Sequence, residues 1–530
     1  MVLLSTLSRT QKQLKPTMPR PPSDAEKNIY LGLQHRWLQP VQLLAYSGVG
    51  VSLYGFSVAS YWTLIFMLPL LLFAVDMVVS GRASTYRRRL TLVNHRAVVA
   101  LWSPDSYPSV DVLLPSAGEP LDLLSNTYSH VAALQWPGRL RTYVLDDSAR
   151  PEVEALAADY GFTYLVRPTR EFKKSGNLRH GFESSDGDFI TIFDADFVPR
   201  TDFLAELVPY FDTPNVGIVQ SPQHFATDRS LGWLERTAGA TQELFYRFIQ
   251  PARDAVGAAI CVGTSAVYRR AALEAIGGFP QTNHSEDVVT GIEMAKVGYE
   301  LQYVPTVVST GTCPSGLNTF ITQQYRWCGG SMALLADPGF HQETTMTLRQ
   351  RLCFWSGFLY YFSTAINVFM APLPVLIMIW LLPERIFAVN MLGLIGPLIL
   401  WLVIYPMVFH GGWRIEVLRT QTIYSFAHAL AIFDAFRGRT AEWIPTGTDQ
   451  ATPLAVMVRR IATYYLLTTQ LALFIGLALR TQEYGLQQYW STVLYAVLNA
   501  YVFLPVIWLS LQGAPEAAAK PAQNAAVVPA

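Results

Sequence analysis

Apolar runs of membrane length constrain this chain more than anything else in it. They cover roughly residues 38–57, 60–79, 355–383, 388–410, 453–478 and 489–511, each close to the about 20 residues a helix needs to cross a bilayer. An uncharged turn joins the first two. Arg82, Arg87, Arg88 and Arg89 follow that pair, and Arg9, Lys12, Lys15, Arg20, Lys27 and Arg36 precede it. Basic flanks stay on the cytoplasmic side, so both ends of this hairpin, and the water-soluble stretch after it, are expected in the cytoplasm.

The run at 355–383 is long for one crossing and contains Pro372 and Pro374, so it reads as one kinked helix or as a re-entrant pair. Parity favours counting it once, because the Arg437-Gly438-Arg439 region should also be cytoplasmic. Six spans result, with both termini inside. Residues 414–436, with Arg414, Glu416 and Arg419 among apolar neighbours, read as an amphipathic interface helix. The expected organisation is a cytoplasmic tail (1–36), a transmembrane hairpin (37–80) and a cytoplasmic domain (100–350). A transmembrane and interface-helix region (351–512) with a cytoplasmic loop at 437–450 follows, then a disordered Ala- and Pro-rich tail (513–530).

Composition agrees with a membrane protein. Of 530 residues, 51% are hydrophobic and only 15% charged, against about 25% charged in ordinary soluble domains. The net charge of zero argues against nucleic acid as a partner. Cys261, Cys313, Cys328 and Cys353 lack C-x-x-C spacing and read as reduced packing residues.

Within 100–350, short apolar runs alternate with helix-length segments: Val110–Leu114, Thr142–Leu145, Phe189–Phe193 and Val216–Val219. That alternation predicts an α/β domain, a mixed but mostly parallel sheet with covering helices, in which ligands bind beyond the carboxyl ends of the strands. Asp146-Asp147 and Asp194-Ala195-Asp196 both follow such runs directly, so they should share one crevice. Ser285-Glu286-Asp287 precedes a helical pattern, and Gln323-Gln324-Tyr325-Arg326-Trp327 lies just before the membrane runs. Taken alone, Asp146-Asp147 and Asp287 read equally as helix caps, and an interfacial Trp-Arg pair as a bilayer anchor.

Together, in this order, the four signals resemble the D, D-x-D, T-E-D, Q-x-x-R-W series of processive family 2 glycosyltransferases, the cellulose synthase-like group, over roughly 105–450. Val219-Gln220-Ser221-Pro222 and Gly263-Thr264-Ser265-Ala266 resemble two further elements of the family. Serine stands at 285 where the family usually has threonine, which keeps the hydroxyl. Trp443-Ile444-Pro445-Thr446-Gly447 occupies the place of the family's gating loop but lacks its lysine.

The resemblance implies a GT-A-like fold and assigns roles. Glu119, Asp146, Asp147, Lys174, Asp194, Arg326 and Thr446 would bind a UDP-sugar donor, while Glu286, Gln323 and Trp327 would hold the acceptor. Asp194 and Asp196 would hold Mg²⁺ or Mn²⁺, whose charge offsets that of a departing diphosphate. Asp287 would act as general base, and Arg326 suits phosphate oxygens through its fork of donors.

The resemblance implies an inverting, processive β-glycosyltransferase of the plasma membrane that polymerises glucose from UDP-glucose into a β-glucan and translocates it. Its partners would be the donor, the growing polysaccharide and the bilayer, with accessory subunits left open. A non-processive transferase acting on a ceramide or polyprenyl phosphate acceptor is the alternative.

Overall fold

The computed structural model describes residues 18–32, 37–84, 90–282, 285–439 and 451–512. Thr446, the loop around it and the tail from 513 lie outside the described residues.

Ten strands build the soluble domain: β1 Val110–Ser116, β2 Leu140–Asp146, β3 Thr163–Leu165, β4 Phe189–Ile192, β5 Phe197–Pro199, β6 Val216–Gln220, β7 His224–Phe225, β8 Ala266–Arg269, β9 Glu300–Tyr303 and β10 Ser309–Gly311. Seven form one sheet in the order β3-β2-β1-β4-β8-β6-β9. β8 alone runs antiparallel, against both β4 and β6. The remaining pairs are parallel. β1 is buried along its whole length, as a strand covered by helices on both faces must be. The four expected runs became β1, β2, β4 and β6. β8 was not foreseen, because its four residues carry no alternation of their own.

The parallel order aligns the carboxyl ends of β1, β2 and β4, with Ser116 opposite Asp146 and Leu113 opposite Ile192. Glu119, Asp147 and Asp194 therefore emerge along one edge. A small second sheet, β5-β10-β7, closes the side of that edge.

Five described helical segments are long and apolar enough to cross a membrane: Tyr61–Ala83, Leu348–Leu381, Ala388–Val408, Pro453–Tyr484 and Leu486–Gln512. The sixth expected span, Leu38–Ser57, is a helix of 20 residues, diluted by Gln39, Gln42 and several Gly and Ser. Leu348–Leu381 is one path broken at Ala371-Pro372, where the helix Leu348–Met370 gives way to Leu373–Leu381. Residues 414–436 depart from expectation: the helix Val417–Phe436 is not amphipathic. It buries residues around its circumference, Arg419, Thr420, Tyr424 and His428 included, packed against helices Leu317–Ala336 and Leu348–Met370. Arg419 is accommodated because it donates to the Tyr501 carbonyl and lies over the Trp233 and Tyr501 rings.

Ahead of the first long helix, residues 18–32 lie against the soluble domain. Lys27 pairs with Asp202 and Glu206, Arg200 binds Asp24 and the Pro22 carbonyl, and Tyr30 and Leu31 are buried.

Candidate active site

A cavity of about 1160 Å³ opens at the carboxyl edge of the sheet and continues between the membrane helices. Glu119, Asp147, Lys174, Asp194, Asp196, Glu286, Asp287, Gln323, Arg326 and Trp327 all line it. Sequence separation of more than 200 residues is thus closed by topology, each group arriving on a strand end, a helix start or one helix face.

Asp146 is the exception. Its oxygens accept from the Ser116 and Tyr164 hydroxyls and from the Ser148 and Arg150 amides, and it is fully buried below the cavity wall. With every lone pair committed to the turn, it organises the loop and leaves the cavity to Asp147. The reason lies in strand alternation: Asp146 ends β2, and the next residue points the other way.

Asp147 is held by Arg167, whose Nε and Nη2 reach its two oxygens at 2.6 and 2.7 Å. The same guanidinium donates to the Glu171 and Lys173 carbonyls. It thereby ties the Asp147 loop to the left-handed turn at Phe172 and Lys173 that begins the helix Lys173–Glu183. Gly176 leaves it room, since a Cβ there would stand 2.3 Å from Arg167 Nη1. Sequence reading missed Arg167; the glycine within Lys174-Ser175-Gly176-Asn177 was its one trace.

Lys174 Nζ lies 2.5 Å from Asp194 Oδ1 and 3.6 Å from Glu286 Oε1. Burial disfavours its charge, but Asp194, Glu286 and Asp287 outweigh that and raise its pKa. Asp196 is pushed up to about 7 by burial and by the charge of Asp194. Glu119 is raised for the same reasons, burial first, although its Oε2 accepts from the Ala117 amide at 2.7 Å. The crevice therefore holds more carboxylates than its cations neutralise. A divalent cation fits the oxygen donors of Asp194 and Asp196. Among the described residues no three acidic, His or Cys side chains converge on one ion, so oxygens from a bound diphosphate would complete its shell.

Asp287 follows Ser285, which adopts a left-handed conformation (φ 43°) to start the helix Glu286–Lys296. Burial, then the charge of Glu286, raises the Asp287 pKa well above the usual carboxylate range, while the Val288 amide and Lys174 act against them. A raised, buried carboxylate suits proton acceptance near neutral pH. Two glycines allow the close packing here. A Cβ on Gly263, itself at φ 75°, would lie 3.2 Å from the Asp287 Cβ, and one on Gly330 would lie 1.9 Å from Ser285 Oγ. Gly263 is positioned by Gln220, whose amide donates to the Ser221, Thr264 and Ser265 carbonyls and accepts from the Val262 amide. The two family-like elements on β6 and before β8 thus interlock beneath the base.

Gln323, Arg326 and Trp327 share one face of the helix Leu317–Ala336 because positions three and four apart overlap. On the other face Tyr325 donates to Asp434 at 2.9 Å, docking this helix onto Val417–Phe436. Burial pulls Arg326 below the usual arginine range, and Glu286, Asp194 and Asp287 counteract it.

Residues 189–413 match the family model described as "Glycosyl transferase family group 2". The chain is 31% identical over 341 residues to "Cellulose synthase 1" of Komagataeibacter xylinus, which covers 63% of this chain and 21% of that protein. It is 30% identical over 262 residues to "Cellulose synthase catalytic subunit [UDP-forming]" of Xanthomonas axonopodis pv. citri (strain 306), covering 48% and 36%. The chain thus spans well under half the length of these curated relatives. Among solved structures, the mannosyltransferase PcManGT from Pyrobaculum calidifontis, in complex with GDP-Man and Mn²⁺, is similar at 16% identity and a TM-score of 0.48, covering 70% of this chain and 100% of that one. The chain thus resembles cellulose synthase-like family 2 glycosyltransferases, with a mostly parallel α/β domain beside five described helical segments long and apolar enough to cross a membrane.

Proposed function

We propose that this protein is an inverting, processive β-glycosyltransferase of the plasma membrane, with its catalytic domain in the cytoplasm, that polymerises glucose from UDP-glucose into a β-glucan and carries it across. One observation supports this above the others: the catalytic cavity does not end at the acceptor site. From Asp287 and Trp327 it continues to Tyr360, Tyr361, Tyr405, Trp413, Gln421 and Tyr424 on the membrane side. Aromatic faces with polar edges suit sugar rings, whereas a polyprenyl or ceramide tail would be served by aliphatic walls.

The acceptor's terminal ring stacks on Trp327, and Gln323 and Glu286 hold its hydroxyls. Asp287 takes the proton of the attacking hydroxyl as its oxygen bonds to the anomeric carbon. The bond to the diphosphate breaks on the opposite face, its electron pair leaving with UDP, so an α-linked donor gives a β-linked product. Arg326 and Lys174 face the charge that appears on the diphosphate. Mg²⁺ or Mn²⁺ bound at Asp194 and Asp196 would neutralise part of it. Asp147, held by Arg167, lies on the nucleoside side with Glu119.

A polymer cannot cross about 30 Å of hydrocarbon unaided, since its hydroxyls would lose their water partners. In inverted vesicles given external UDP-glucose, product should accumulate in the lumen, protected from added glucanase until detergent is supplied. Long product that is digestible before detergent removes translocation from the proposal, and a single-sugar lipid product replaces polymerisation altogether.

A further inference from the structure

The membrane half of the cavity contains one feature that transfer itself does not use. Asp76, in the span Tyr61–Ala83, lines the cavity. Ser80, one turn further on, also lines the cavity and donates to Asp76 Oδ1 at 2.8 Å. The helix Leu348–Met370 packs along this span. Among the described residues no Lys, Arg or His forms an ion pair with Asp76. An ionisable side chain within a span is costly and is usually kept for a ligand or a pathway. A carboxylate that accepts from a neighbouring hydroxyl and faces a cavity is a group adapted to accept from hydroxyls.

Its position says whose. Trp327 and Ser331 are four residues apart on one face of the helix Leu317–Ala336, and both line the cavity. Tyr360 and Tyr361, on the helix Leu348–Met370, line the same cavity. One cavity therefore joins Trp327, Ser331, the two tyrosines and the carboxylate.

We infer that Asp76, with Ser80, forms a hydroxyl-binding station for the nascent polysaccharide beyond the transfer site. This rests on the polymerase reading. The aromatic residues supply stacking that tolerates sliding, and Asp76 adds a polar hold that favours retaining the chain between additions. Its effect should appear only for chains long enough to reach it.

The test is binding of β-linked gluco-oligosaccharides of increasing length to the detergent-solubilised full chain, followed by intrinsic tryptophan fluorescence. For the native protein, affinity should rise beyond the length that fills the Trp327 site. Asp76→Leu should remove that increment, about tenfold in Kd for the longer oligosaccharides, with UDP affinity retained as evidence of an intact fold. Asp76→Asn, which keeps the shape and one acceptor, should remove part of it. An unchanged increment in Asp76→Leu overturns the station, as does loss of UDP affinity in both variants, which would mark Asp76 as structural. If no oligosaccharide of any length binds the native chain, the polymerase reading itself fails.

Discussion

At the sheet edge, Glu119, Asp194, Asp196, Glu286 and Asp287 crowd around Lys174 and Arg326, held by strand ends and by left-handed turns at Phe172, Lys173, Ser265 and Ser285. On the membrane side the same cavity is walled by regular helices bearing Tyr, Trp, Gln and a single carboxylate. In the proposed reaction the first region would handle charge that appears and disappears within one turnover. Such work needs groups fixed in advance, and strained turns and buried carboxyls are the cost. In the same proposal the second region would face neutral hydroxyls and ring faces, which many moderate contacts satisfy, and one tight grip there would stop a moving chain.

That contrast can be broken most severely at Asp287. Asp287→Asn keeps shape but cannot take a proton, so UDP release in the presence of acceptor should fall by about 10²- to 10⁴-fold, with UDP affinity in isothermal titration unchanged. Turnover within threefold of native would remove Asp287 from the base role. Asp194→Ala and Asp196→Ala should weaken donor binding and turnover together, by about 10²-fold. Chelator should reproduce this in the native protein and added Mg²⁺ or Mn²⁺ reverse it; full activity in chelator contradicts the metal assignment.

Packing beneath the base gives the next largest effect. Gly330→Ala would drive a methyl into Ser285, and overpacking of this kind costs about 1–3 kcal/mol. Turnover should drop roughly tenfold and recover in the double variant with Ser285→Gly, which removes the obstructing atoms and suits the left-handed backbone; absence of rescue would mean that Gly330 acts elsewhere. Arg167→Lys loses the bidentate hold on Asp147, so KM for the donor should rise about fivefold with kcat little altered. An equal fall in kcat would place Arg167 closer to the chemistry than its contacts suggest.

The mildest lever is pH. A base whose pKa is raised by burial is protonated, hence idle, at pH values where an ordinary carboxylate has already ionised. The acid limb of kcat against pH should therefore lie well above the ordinary value of about 4, with activity lost as pH falls and little change above neutrality. A limb at about 4 would show that Asp287 is not buried in the working enzyme. Binding of long oligosaccharide on the membrane side should not share the limb.

The charged region was readable from sequence because its chemistry demands particular residue types at strand ends and helix starts. Asp194, Asp196, Asp287, Arg326 and Trp327 were singled out by motif order and family resemblance, and the fold brings them to one cavity. Which member of Asp146-Asp147 faces the donor was not readable, since that depends on where β2 stops and on hydroxyls from Ser116 and Tyr164. Arg167 and Gly330 were invisible for a similar reason: each matters through a contact closed by tertiary packing. In the membrane region, length and apolarity revealed the spans, but apolarity also concealed Asp76, because one carboxylate in a long hydrophobic run does not disturb the pattern that identifies it. The helix Val417–Phe436 was misread in the opposite sense, its arginine taken as a sign of an aqueous face when the Tyr501 carbonyl and two rings enclose it.

The segment at residues 18–32 has a mechanical implication. It is fastened to the soluble domain through Lys27, Asp24 and Tyr30 on one side. A few residues later the chain enters the helix Leu38–Ser57, whose Gln39 and Gln42 line the membrane part of the cavity. The domain is also joined to the membrane helices directly, through Leu317–Ala336 and Leu348–Met370. A body moored on two sides cannot swing like a lever over the bilayer. If the protein extends a chain as proposed, its advance by one unit would fall to side chains and short turns inside the cavity.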